Sequence, residues 1–134
     1  MQTLLGFDFG TQRIGIAVGQ SITGTATALC TISSRNGKPD WDRVSDLVDH
    51  WQPDALVVGL PLHDDGSDSD MSKAARKFIR QLEAHYELPV HTMDESLSSH
   101  AAKQYMKQST SKQQIDAIAA MIILQNWLET KAHE

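Results

Sequence analysis

Apolar residues along this chain alternate at first and later recur at helical spacing. In Leu4 to Phe9, Leu5, Phe7 and Phe9 share one face while Leu4, Gly6 and Asp8 share the other, which predicts a strand. Gly10-Thr11-Gln12 forms a turn. Arg13 to Gly19 returns as a second strand, with Ile14, Ile16 and Val18 on one face. Its other face, Gly15, Ala17 and Gly19, is nearly bare, so a helix or a ligand can approach the backbone closely. Ala26 to Ile32 completes a three-strand meander.

The period then changes. Asp40 suits an N-cap, and Trp41, Val44, Leu47, Val48 and Trp51 follow at helical spacing until Pro53. Ala55 to Gly59 is a short, continuously apolar run, as in a strand buried on both faces. Leu60 to Ser69 is a polar loop. A helix is expected over Asp70 to Tyr86, a strand over Pro89 to Met93, a helix over Ser96 to about Met106, and a last helix from Lys112 to about Lys131. The order predicts an α/β fold. Its mixed five-stranded sheet has an antiparallel three-strand meander, two parallel strands and helices on both faces.

A length of 134 residues suits one domain, taken here as 1–134, and 40% hydrophobic content is enough for one core. No apolar run approaches the roughly 20 residues needed to span a bilayer, and the N-terminus lacks the features of a signal peptide. A soluble, cytoplasmic protein without membrane contact is expected. Cys30 is the single cysteine and reads as a small apolar residue. The net charge of −5 disfavours a protein that coats nucleic acid, but not an enzyme that holds it locally and carries carboxylates for a metal.

Three acidic positions stand out. Asp8 ends an apolar strand, where a carboxylate is costly unless paired, bound to a cation or used to cap the Gly10 turn. Asp94-Glu95 follows the strand ending at Met93; the plain alternative is acid at a helix N-terminus. Asp116 opens the apolar run Ala117 to Leu124, and no Lys or Arg four residues on can serve it. Asp8 and Glu95 both stand at carboxyl ends of strands, where open sheets collect ligands. Convergence of Asp8, Glu95 and Asp116 would create an oxygen site for Mg²⁺ or Mn²⁺, and two such ions support phosphodiester cleavage.

Leu5-Gly6-Phe7-Asp8-Phe9-Gly10-Thr11, running on through Arg13-Ile14-Gly15-Ile16-Ala17-Val18-Gly19, resembles the opening of the YqgF/RuvX family. Val57 to Leu62 with Asp65-Gly66, Asp94 to Ser99, and Ile115-Asp116 resemble its later blocks in the same order. The resemblance implies a ribonuclease H-like fold and metal-dependent cleavage of nucleic acid, with Asp8, Glu95 and Asp116 as catalytic metal ligands. It also implies a role in maturing the 16S ribosomal RNA precursor at its 5′ end. Structured or precursor RNA, and ribosomal particles, would be the partners. Resolution of Holliday junctions is the alternative and would need a dimer; a monomer or weak dimer is expected, because nothing here marks an interface. This chain departs from the family pattern at Ser96, where Arg is usual and could contact phosphate, and at His63, where Asn is common. Lys107 to Gln114 is also shorter than usual.

Lys73, Arg76, Lys77 and Arg80 share one helix face, which reads as a solvated stripe or as a phosphate-positioning surface. Arg13 could join them, and Gly10, Thr11 and His63 are further candidates for substrate contact. Asp64, Asp65, Asp68 and Asp70 lack the spacing of a calcium loop, and the histidines lack zinc spacing. Trp41, Trp51 and Trp127 stand at core-facing positions. Ser96 also leaves room for a non-catalytic nucleic-acid-binding domain on the same fold. A sugar-kinase or actin-like nucleotide binder would need two much larger lobes.

Overall fold

The computed structural model describes residues 2–10, 12–35, 38–60, 70–94 and 112–132. The elements are β1 (Thr3–Phe9), β2 (Arg13–Gln20), β3 (Thr25–Arg35), β4 (Lys38–Pro39), α1 (Trp41–Trp51), β5 (Ala55–Leu60), α2 (Asp70–Tyr86), β6 (Val90–Asp94) and α3 (Lys112–Ala132). The helix expected over Ser96 to Met106 lies outside the described residues. The strands form one sheet in the order β4-β3-β2-β1-β5-β6. β1 to β4 pair antiparallel in sequence, whereas β5 is parallel to both β1 and β6.

The sheet therefore has six strands rather than five. The sixth, β4, is two residues that pair with Ser34 and Arg35 at the end of β3. A Lys-Pro step is too short to show a period, and proline is tolerated because β4 lies at the edge. β3 also runs on past Ile32 through the polar Ser33, Ser34 and Arg35. It bulges opposite Ile16 and Ala17, which pair with Cys30 and Ala28 and leave Leu29 as the extra residue.

One face of the sheet carries Leu5, Phe7, Phe9, Ile14, Ile16, Leu56 and Val58, packed under α1 and α2. Phe78 of α2 is the centre of this layer, with its ring 5.6 Å from Phe7, 5.0 Å from Phe9 and 5.7 Å from Trp41. α1 starts at Asp40, whose carboxylate accepts from the Arg43 amide, and ends where Gln52 turns left-handed at φ 50°. Where α1 and α2 meet, the Ser45 and Tyr86 hydroxyls lie 2.8 Å apart.

The other face carries Leu4, Ala17, Ala55 and Val57 under α3, which turns Ala120, Ile123, Leu124 and Leu128 toward them. α3 is apolar nearly all round, yet it is buried on the sheet side only. Ile115, Ile118, Met121 and Ile122 are half-buried, because small alanines take the tight inner positions and leave larger side chains outward. Gln125 ties α3 to the far end of the sheet. Its Oε1 accepts from the Ala26 amide at 2.9 Å, and its Nε2 donates to the Gly24 carbonyl at 2.7 Å. Among the described residues no helix is long and apolar enough to cross a membrane.

The bare face of β2 decides where α3 sits. A Cβ on Gly15 would lie 1.9 Å from the carbonyl oxygen of Asp116, and one on Gly19 would lie 2.9 Å from Leu124. Gly15→Ala should therefore cost more than the ~1–3 kcal/mol usual for overpacking, because backbone must move rather than a side chain. A urea midpoint lowered by less than ~1 kcal/mol equivalent would show that α3 does not rest there.

Burial pushes the Tyr86 hydroxyl above its ordinary 10.0, the Ser45 contact opposing this and the Asp49 charge adding to it. The folded protein thus holds this proton more tightly than the unfolded chain. The contribution is complete below pH ~10 and is lost as pH climbs beyond it. Tyr86→Phe should flatten that part of the alkaline stability curve; an unchanged slope would contradict the assignment.

Candidate active site

Strand register assembles the site across four strands. Gly15 of β2, Asp8 of β1 and Gly59 of β5 stand side by side, and Met93 of β6 continues the row. Asp8 thus has a glycine on each side, so no Cβ crowds its half-buried carboxylate from either neighbouring strand. Alternation from Leu4 puts Asp8 on the α3 face. The close approach of α3 to Gly15 then sets the Asp116 backbone over the strand position beside Asp8. Two carboxylate residues 108 positions apart are joined through one glycine.

Arg13 completes this cluster. It has the same parity as Gly15 and lies on the same face. Its Nε donates to Asp116 Oδ2 at 2.7 Å, and the two side chains are 36% and 24% exposed. This is the partner Asp116 requires, supplied from β2 rather than from its own helix. The sequence held one sign of it, since Arg13 falls in line with the bare Gly15, Ala17 and Gly19. Gly10 shapes the preceding turn: a Cβ there would lie 2.5 Å from the Arg13 carbonyl oxygen. Asp116 occupies the second turn of α3, where the helix dipole favours negative charge.

The other candidates divide into two groups. Thr11, His63 and Glu95 lie outside the described residues; β6 ends at Asp94, one residue before Glu95. Lys73, Arg76, Lys77 and Arg80 are exposed on α2, which packs on the opposite face of the sheet from Asp8 and Asp116. The structure does not bring that stripe to the carboxylates.

Among the described residues, no three His, Cys, Asp or Glu side chains stand together as a metal site. Asp8 and Asp116 nevertheless fit a hard divalent cation. Mg²⁺ typically takes one or two carboxylates and completes its shell with water and phosphate oxygens.

A mixed sheet with a meander, parallel strands beyond it, helices on both faces and a strand-end aspartate beneath the last helix defines a ribonuclease H-like, resolvase-type fold. The same architecture occurs in T. thermophilus RuvC solved with a Holliday junction, at 15% identity and TM-score 0.58 over 98% of this chain and 96% of that one. It also occurs in a yeast mitochondrial Holliday junction resolvase, at 7% identity and TM-score 0.59 over 96% and 78%. The family model described as "RuvX: Holliday junction resolvase" matches residues 2–130. A Pseudomonas paraeruginosa protein named "Putative pre-16S rRNA nuclease" is 50% identical over 133 residues, covering 96% of this chain and 92% of that one. An Azotobacter vinelandii protein of the same name is 50% identical over 130 residues, covering 93% and 92%. The chain belongs to the RuvX family, and by that membership it is a nuclease.

The Arg13–Asp116 pair is partly solvated, so its contribution to stability should be modest. A double-mutant cycle of Arg13→Gln and Asp116→Asn should give a coupling energy of about 1 kcal/mol or less in denaturation. Coupling above about 2 kcal/mol would mean that the pair is a main support of the fold rather than part of a working site.

Proposed function

We propose that this chain hydrolyses phosphodiester bonds in the precursor of 16S ribosomal RNA with a divalent metal, Mg²⁺ or Mn²⁺, held by Asp8, Glu95 and Asp116. The observation that carries this reading is the seating of Asp116 beside Asp8 at the carboxyl end of the central strands. Curated relatives at half identity carry the name of a pre-16S rRNA nuclease. Glu95 enters because it follows the end of β6. Met93 is in register with Gly59 and packs on the α3 face, and in an extended chain the residue two positions on returns to that face.

When bound, the cation supplies Lewis-acid polarisation of the phosphodiester and lowers the pKa of water, and a two-metal arrangement can serve both the attacking and the leaving oxygen. The protein's part is positional. Asp8 is presented between two glycines with room for a ligand beside it. Arg13 occupies one oxygen of Asp116, fixes its rotamer and offsets one negative charge in a crowded acidic site. Ribosomal particles carrying the precursor are the natural partner of such a reaction. A second reading, cleavage of branched DNA, follows the family description and predicts a dimer that presents two sites.

Cleavage of labelled precursor RNA, single-stranded RNA and a four-way DNA junction, with Mn²⁺, Mg²⁺ or EDTA, tests both readings. Loss of outer partners of a metal site already costs about 10–100-fold. Asp8→Asn should therefore lower turnover by at least ~100-fold, with folding intact, and precursor RNA should be preferred. Full activity in Asp8→Asn or in EDTA would overturn the metal assignment. Preference for the junction would move the substrate to DNA.

A further inference from the structure

We propose that Arg35 and Lys38, with Ser33, form a phosphate-binding subsite that holds the sugar–phosphate backbone of the nucleic-acid substrate to one side of Asp8 and Asp116. The inference rests on the nuclease reading and says where substrate lies.

Register places these residues. Ser33 is the cross-strand partner of Arg13, and Arg35 is the partner of Lys38. Ile32 is buried in the layer beneath α1 and α2, and Ser34 is buried too, so Ser33 and Arg35 alternate onto the other face. That is the face of Arg13, Gly15 and Asp8. Ser33, Arg35, Lys38, Pro39 and Asp40 line a cleft of about 370 Å³ at this edge. Strand spacing of about 4.8 Å puts β4 roughly 14 Å from β1, about four nucleotide steps at roughly 3.4 Å each.

The charges point to an anion. Like charges directly opposite one another on paired strands are destabilising. Yet Arg35 and Lys38 face each other, both exposed, and neither forms an ion pair among the described residues. The one carboxylate lining the cleft, Asp40, caps α1 by accepting from the Arg43 amide at 3.4 Å. A bridging phosphate would relieve the repulsion between the two cations. In a chain with net charge −5, such local clusters must supply the affinity. The alternative role is edge protection, since a lysine on an edge strand discourages pairing with another chain.

Binding of a fluorescently labelled RNA oligonucleotide, measured by anisotropy in EDTA across a salt series, separates these roles. Arg35→Gln/Lys38→Gln should weaken binding at least ~10-fold near 0.1 M salt. It should also make the logarithmic salt slope shallower by about 1.4, at about 0.7 per lost phosphate contact on a single strand. Lys73→Gln/Lys77→Gln, on the opposite layer, should leave the slope as in the wild type. In cleavage assays the hairpin variant should raise KM and keep kcat. An unchanged slope and affinity in the hairpin variant, or a loss confined to the α2 variant, would overturn the subsite. If wild type cleaves RNA and Asp8→Asn does not, that failure leaves the nuclease reading standing. If wild type binds no nucleic acid, both fall.

Discussion

The seating of α3 on Gly15 is the contact on which the site depends. At most strand positions a side chain holds a covering helix well above the backbone. Here the absence of a Cβ lets the Asp116 carbonyl occupy the space that a Cβ would fill. Because Gly15 is the register partner of Asp8, this approach also decides which helical residue stands beside the strand-end aspartate. The layer beneath α3 is thin, built from Ala17, Ala55 and Val57 against Ala120 and Leu124, whereas the opposite layer is filled by Phe7, Phe9, Phe78 and Trp41. The bulky layer anchors the sheet, and the thin layer brings backbones and carboxylates together.

Charge follows the same division. An acidic cluster is unfavourable unless cations answer it, and Arg13 answers it from within the sheet by taking one oxygen of Asp116. Further out along the same edge stand Arg35 and Lys38. The basic stripe on α2 lies across the sheet, on the far side of the aromatic layer. Proximity in sequence pattern and proximity in space diverge here. Four cations on one helix face make a conspicuous motif, but the helix lies on the wrong layer to serve Asp8.

Much of this was legible in the chain. The alternation in β1 and β2 assigns each residue to a face, and the bare side of β2 marks where a helix must come close. Asp40, Trp41 and Gln52 bound α1 as capping chemistry requires. What escaped has physical reasons. β4 and the end of β3 are edge segments rich in polar residues, so burial imposes no period on them. The Arg13–Asp116 pair spans 103 positions and cannot be found by searching along one helix. The half-exposure of α3 contradicts its uniformly apolar composition, because alanines take the inner positions and leave isoleucines outside.

Diffraction from crystals grown with Mn²⁺, measured at a wavelength where manganese scatters anomalously, tests the central claim most directly. An anomalous peak within about 2.0–2.4 Å of carboxylate oxygens from both Asp8 and Asp116 is the predicted result. No peak, or a manganese bound elsewhere while the Asp8 carboxylate stands free of any cation, would contradict the account.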